Sequence, residues 1–82
     1  MLTAAQIRAA RALLGWNGAS LAEAAGVSLQ TIRRMESEVG PGRSSAVNVE
    51  AVKRALETAG VAFLESTNES GPGVRLTSGL EG

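Results

Sequence analysis

The chain has 82 residues, with eight basic and eight acidic side chains and no histidine, so its formal net charge at pH 7 is zero. This length allows one small domain. The absence of both Cys and His excludes disulfides, thiol chemistry, Cys/His metal sites and imidazole catalysis. No two carboxylates form an obvious close pair, so we expect neither an enzyme nor a cofactor. A neutral total also argues at first against nucleic-acid binding, because such domains are usually strongly basic.

The N-terminal segment does not resemble a signal peptide. Arg8 and Arg11 interrupt it, and no apolar stretch follows that would serve as a hydrophobic region. The charge-free residues 12–22 contain two glycines, an asparagine and a serine, and they are too few and too polar to span a bilayer. We therefore expect a cytoplasmic protein that does not enter the membrane.

The first predicted helix covers residues 3–14. Thr3 is placed to cap its N-terminus, and Gln6 follows three residues later, as in a capping box. Gly15 is placed to end the helix in a left-handed conformation. An apolar stripe at helical spacing is formed by Ile7, Ala10 and Leu14.

Two short helices follow in close succession. The second covers residues 18–25, with Asn17 as its N-cap, although a competing capping box leaves its start open by about three residues. The third covers residues 29–36, with Ser28 as its N-cap. The turn between them has about three residues and contains a glycine. Two short helices joined in this way are typical of a helix-turn-helix.

The rest of the chain predicts a loop, one more helix and a hairpin. Gly and Pro break the periodicity in residues 37–45. Asn48 is placed to cap a fourth helix that ends at residue 58 or 59. Residues 61–64 and 74–76 have strand-forming composition, with turn-forming residues between them, which indicates a β-hairpin.

Residues 21–36 read Leu-Ala-x-x-Ala-Gly-Val-Ser-x-x-Thr-Ile-x-x-x-Glu. This stretch resembles the Cro/CI (XRE-type) helix-turn-helix family of transcriptional regulators, and the similarity covers about residues 3–60. The chain also resembles small bacterial regulators of that type that open on a Leu-Thr-x-x-Gln-Ile-Arg-Ala-Ala-Arg-like segment and close on Gly-Pro-Gly-Val-Arg-Leu. The resemblance implies a mainly α, lambda-repressor-like fold with four helices and a C-terminal β-hairpin.

The resemblance further implies that the third helix lies in the major groove of double-stranded DNA. The positions expected to face base edges are Leu29, Gln30, Arg33 and Arg34. Gln can read adenine, Arg can bind guanine with two hydrogen bonds, and Leu can touch a thymine methyl group. Ser28 and Thr31 are better placed for phosphate contacts. For Arg43, in the following loop, phosphate contact and solvent exposure are about equally expected.

The chain matches the family at one structural pair and departs from it at one contact. The family often pairs an Arg late in its first helix with the Glu that ends its third, and Arg11 and Glu36 occupy those positions. We expect them to form an ion pair. The family commonly has Gln just inside the start of the second helix, where it touches phosphate. This chain has Gly18 there, which leaves backbone amides to meet phosphate at that point.

We divide the chain into a helix-turn-helix domain, residues 1–60, and a hairpin tail, residues 61–82. A lone two-stranded hairpin is marginal in water, so the tail must fold back on the fourth helix or pair with its copy in a second chain. We favour pairing, because DNA readers of this type usually bind palindromic sites as dimers. The expected dimer-interface residues are Val61, Phe63, Leu64, Val74 and Leu76.

These features predict a sequence-specific transcriptional regulator, and specifically a homodimeric repressor that occupies a promoter at the nucleoid. The alternative is an antitoxin, or another protein-binding module, whose tail binds a partner protein. The distribution of charge removes the initial objection to DNA. Residues 1–45 carry a net charge of +2 and residues 46–82 carry −2, so the basic half of the chain holds the recognition helix.

Overall fold

The computed structural model describes residues 2–77, and it confirms a mainly helical fold with a C-terminal antiparallel hairpin. A short 3₁₀ helix, Pro41–Arg43, lies between the third and fourth helices. The regular elements are α1 (Ala4–Leu14), α2 (Gly18–Ala25), α3 (Leu29–Met35), α4 (Ala46–Thr58), β1 (Val61–Leu64) and β2 (Gly73–Leu76).

The first three helices begin where local capping predicts. At α1 the hydroxyl of Thr3 accepts the N–H of Gln6 at 3.1 Å, and the Gln6 side chain accepts the N–H of Thr3 at 2.9 Å, which completes a capping box. Asn17 caps α2 and Ser28 caps α3, each by accepting the backbone N–H three residues later. The two possible N-caps in the sequence leave the start of α2 open by about three residues. In the structure α2 starts at Gly18.

The predicted start of α4 is wrong by one turn. The helix begins at Ala46, and its N-cap is Ser45, whose hydroxyl accepts the N–H of Asn48 at 3.2 Å. Asn48 therefore lies inside the first turn of α4. Its backbone N–H donates to the capping hydroxyl, and its own side chain is not the cap. Smaller differences of one residue occur elsewhere: α1 starts at Ala4, β2 starts at Gly73, and α3 ends at Met35 with Glu36 as its C-cap residue.

A single apolar cluster joins all four helices to the hairpin. Its members come from one face of each helix and from the first residue of β1, so α2 and α3 are held against the rest of the fold by burial. The buried apolar residues are Ile7, Ala10, Leu21, Ala22, Ile32, Met35, Val52, Leu56 and Val61.

The hairpin folds back on its own chain. Its register pairs Val61 with Leu76 and Phe63 with Val74, so these four side chains share one face. That face packs on the cluster, and Val61 is only 1% exposed. Of the five residues expected at a dimer interface, only Leu64 points to the other face, where it is 42% exposed. The hairpin thus packs on its own protomer, and Val61 belongs to the core of that protomer.

A buried amide attaches the hairpin to the start of α1. The Nε2 of Gln6 donates to the carbonyl oxygens of Leu64 at 3.2 Å and Gly73 at 3.0 Å. Its Oε1 accepts the N–H of Thr3 in the capping box. Each polar end of this buried side chain therefore has a partner, which removes the cost of burying an amide. Gln6 thus completes the capping box of α1 and also binds both strands of the hairpin.

Candidate nucleic-acid interface

The exposed face of α3 carries three of the predicted DNA-contacting side chains. Gln30, Arg33 and Arg34 are all exposed. Ile32 and Met35 lie on the opposite face and are buried in the core. The helix thus presents one amide and two guanidinium groups to solvent while its apolar face holds it in place.

The two arginines on this face remain available to a ligand. Among residues 2–77 the salt bridges join Arg11 to Glu36 and Arg54 to Glu50, so neither Arg33 nor Arg34 takes part in one. Guanidinium groups present a rigid fork of donors that matches a guanine edge or a phosphate. The arrangement can therefore bind either without first breaking an ion pair.

The hydroxyl groups at the start of α3 bind each other. The Oγ of Ser28 accepts the N–H of Thr31 at 3.0 Å and lies 2.9 Å from its Oγ1. Ser28 is exposed and Thr31 is half-buried. The hydroxyl of Ser28 therefore caps α3, and the hydroxyl of Thr31 is hydrogen-bonded to it.

The remaining predicted contacts differ in how they are placed. Leu29 is half-buried and packs against the core instead of standing free on the helix surface. Arg43 ends the 3₁₀ helix that follows α3, but its side chain lies outside the described part of the structure. Gln30, Arg33 and Arg34 are thus exposed on α3, whereas Leu29 is half-buried against the core.

The turn between α2 and α3 is as tight as predicted. Gly26 has φ 73°, in the left-handed region that favours glycine, and its N–H donates to the carbonyl oxygen of Ala22 at 2.9 Å. Only Gly26, Val27 and Ser28 separate the two helices. This short connection sets the angle at which α3 leaves α2.

An ion pair between α1 and the C-terminal end of α3 stabilises the position of α3. Arg11 on α1 donates from Nε and Nη2 to the two carboxylate oxygens of Glu36, at 2.7 and 2.8 Å. Its Nη1 also donates to the carbonyl oxygen of Trp16 at 3.1 Å. The hydrogen bond with Glu36 raises the pKa of Arg11 above its ordinary value, against an opposing effect of burial, and the charge of Glu36 adds to the increase. The end of α3 is thereby joined to α1 by two hydrogen bonds.

Arg8 adds a contact that the sequence alone did not indicate. Its guanidinium donates to the backbone carbonyl of Glu36, an oxygen at the C-terminal end of α3. Cations are favourable at this end of a helix because the last carbonyls lack intrahelical partners. The basic charge of Arg8, one turn before Arg11, is the only signal in the sequence that points to it.

Two short helices at a tight turn, with a basic face on the second, define a helix-turn-helix DNA-binding domain. A family model described as helix-turn-helix matches residues 7–64. The chain therefore belongs to the XRE-type, Cro/CI-like helix-turn-helix family of DNA-binding transcription regulators. Comparisons with curated protein sequences and with solved structures gave no match to this chain.

Residues 2–77 contain neither a membrane-spanning helix nor a cluster of metal-binding side chains. No helix there has both the length and the apolar character needed to cross a membrane. Nor do three or more Asp, Glu, His or Cys side chains come together there in a group that could hold a metal ion.

Proposed function

We propose that this protein regulates transcription by inserting α3 into the major groove and reading base edges with Gln30, Arg33 and Arg34. The observation that carries the proposal is the exposure of these three side chains on a helix that is braced by Arg11 and Glu36. Gln pairs with adenine, and Arg pairs with guanine, through two hydrogen bonds each. Ser28, Thr31 and Arg43 would contact phosphates and set the register on the duplex.

The test is a pair of matched double variants. Arg33→Ala/Arg34→Ala removes two charges from the proposed reading face, and Lys53→Ala/Arg54→Ala removes two charges from α4. Each lost bidentate pair costs about 1–3 kcal/mol, so we expect the first variant to bind the selected DNA site at least roughly 30-fold more weakly. The second should lose far less, through long-range charge alone.

The DNA site itself comes from selecting bound sequences out of a random pool with the wild-type protein. Circular dichroism checks that both variants keep their helices, and gel shift or fluorescence anisotropy measures affinity. Equal affinity for the two double variants would contradict the assignment of α3 as the reading helix.

The proposal extends to a homodimeric repressor that acts by occupying a promoter at the nucleoid, in the cytoplasm. Proteins of this architecture read two half-sites about 34 Å apart, one helical turn of DNA. Steric exclusion of other proteins from the occupied site is the simplest mechanism for such a repressor. A palindromic consensus in the DNA selection, and a promoter whose transcription falls when the protein is added, are the expected results.

A dimer that forms through the hairpin would use an outer strand edge, because the apolar face packs on the core of its own protomer. Thr77 donates its N–H to the carbonyl oxygen of Gly60 at 2.8 Å, which fixes the alternation of the antiparallel ladder. The backbone groups of Val61 and Phe63 then point away from β2, and those of Val74 and Leu76 point away from β1. We propose that one of these outer edges pairs with its copy across a two-fold axis.

The dimer proposal is best tested without truncation, because removing the tail would also remove Val61 from the core. Sedimentation gives the oligomeric state. Hydrogen exchange of the Phe63 and Val74 amides then identifies the edge, because the paired edge should gain protection as protein concentration rises. A dimer in which neither edge gains protection would contradict this interface. The same unpaired edges could accept a strand from another protein, so a strictly monomeric chain would favour the partner-binding alternative.

A further inference from the structure

Gly18, the first residue of α2, has a neighbour that leaves little room for any side chain. A Cβ atom there would lie 3.1 Å from Cδ1 of Leu29 and 4.0 Å from Cγ2 of Ile32. At the other glycines within residues 2–77, such an atom would meet nothing closer than 3.7 Å. The closest approach to any of these glycines therefore comes from the first residue of the recognition helix.

The backbone does not explain this glycine. Gly18 is absent from the glycines with positive φ, unlike Gly15 and Gly26, which end helices in the left-handed conformation. A helical glycine is less favourable than alanine, so the residue has an intrinsic cost at this position. Space for Leu29 is the feature of the structure that accounts for glycine here.

The packing turns Leu29 inward. Its Cδ1 occupies the volume that a side chain at position 18 would take, and the residue is half-buried against the core. Gln30, Arg33 and Arg34 remain exposed on the same helix. The first residue of α3 thus serves as a contact between helices, and base reading is left to the three polar side chains.

We propose that Gly18 is a positioning residue for DNA specificity. Because Gly18 has no side chain, Leu29 can pack against the start of α2. This packing sets how the first turn of α3 approaches the groove, and it removes Leu29 from the residues that read bases. This inference rests on the proposed function, since it requires α3 to lie in the major groove. A Cβ at position 18 would require Cδ1 of Leu29 to shift by a few tenths of an ångström, and so would change how this side chain packs on the start of α2.

A double-variant cycle separates this role from simple loss of structure. Gly18→Ala, Leu29→Ala and the combined variant are compared with wild type on the DNA consensus that wild type selects. We expect Gly18→Ala to bind this consensus about tenfold more weakly while keeping its helices by circular dichroism, because misaligning one bidentate base contact costs about that factor. The combined variant should regain most of that loss, because alanine at position 29 no longer meets the new Cβ. Gly71→Ala, where an added Cβ meets nothing within 4 Å, is the control and should bind like wild type.

The selected sequences test the second half of the inference. Leu29→Ala should select the same consensus as wild type, because Leu29 reads no base. Loss of a preferred thymine in that variant would overturn the inference, and so would wild-type affinity in Gly18→Ala. If wild type selects no consensus at all, the proposed function itself has failed. In that case the cycle still reports on the packing, since the effects of the two single variants on thermal unfolding should not add.

Discussion

The proposed recognition helix, α3, and the hairpin are attached to the same helix, α1, by contacts of opposite character. Arg11 holds α3 through an ion pair with Glu36, and its side chain is 25% exposed against 11% for Glu36. Gln6 holds the hairpin through neutral hydrogen bonds, and this residue is only 5% exposed. The proposed DNA-reading helix is thus fixed by a charged contact near solvent, whereas the hairpin is fixed by a buried amide and by the core. Charge and salt should act on the first attachment, and packing on the second.

The largest expected effects come from the core that both regions share. Ile32 in α3 and Val61 in β1 are each 1% exposed. We expect Ile32→Ala to lower the free energy of unfolding by about 2–5 kcal/mol, and Val61→Ala by roughly 2 kcal/mol from the loss of its buried methyl groups. Thermal unfolding followed by circular dichroism, together with NMR of the strand residues, measures both. If the hairpin signals were lost in Val61→Ala while the helices melted unchanged, the hairpin would be an independent unit and not part of this core.

The next effect concerns the attachment of α3. Removing one partner of a buried ion pair costs about 3–5 kcal/mol, and removing one partner of an exposed pair costs about 0–1 kcal/mol. The partial exposure of Arg11 places Arg11→Leu between these limits, at about 2 kcal/mol by urea unfolding. Arg54→Ala is the control, since its pair with Glu50 is at the surface and should cost no more than about 0.5 kcal/mol. Equal losses in the two variants would show that the Glu36 pair contributes only as a surface contact.

The pH dependence of this ion pair follows from the direction in which the pKa of Arg11 is shifted. Contact with Glu36 raises the pKa of Arg11 in the folded state. A base whose pKa is raised on folding contributes its full stabilisation below its unfolded-state pKa, and loses it only as pH rises through the folded-state value. For an arginine both values lie far above neutrality. Ionisation of Arg11 should therefore contribute the same stabilisation at every pH near neutrality. The difference in stability between wild type and Arg11→Leu that comes from this ionisation should stay constant across the neutral pH range.

The attachment of the hairpin is tested by Gln6→Glu. Glutamate can still accept the N–H of Thr3 in a capping box, but its carboxylate cannot donate to the carbonyl oxygens of Leu64 and Gly73. We expect a loss of about 1–3 kcal/mol, with faster hydrogen exchange in the strands than in α3. Thr3→Ala is the matched variant, because it removes the cap alone and should cost about 1 kcal/mol. Equal losses would mean that Gln6 acts only as a capping residue.

The difference between the two attachments also explains what could be predicted from the sequence. The positions of α1, α2 and α3 depend on caps and apolar spacing within a few residues, so local patterns were sufficient. The exposure of Arg33 and Arg34 follows from the same spacing, because Ile32 takes the buried face. The bonds from Gln6 span 58 and 67 residues, and no local pattern indicates where such a side chain reaches. The packing of Leu29 on Gly18 depends in the same way on how two helices cross.

The smallest expected effect concerns the one helix whose start was predicted wrongly. Ser45 and Asn48 are both good capping residues, and the sequence does not show which of them the preceding loop presents in an extended conformation. In the structure Ser45 has φ −65° and ψ 151°, and its hydroxyl accepts the N–H of Asn48. Ser45→Ala should therefore cost about 1 kcal/mol of stability. Asn48→Ala should be close to neutral, since the backbone N–H at position 48 remains and alanine favours a helix. Chemical denaturation of the two variants under the same conditions distinguishes the caps, because the reverse order of stability would place the start of α4 one turn later.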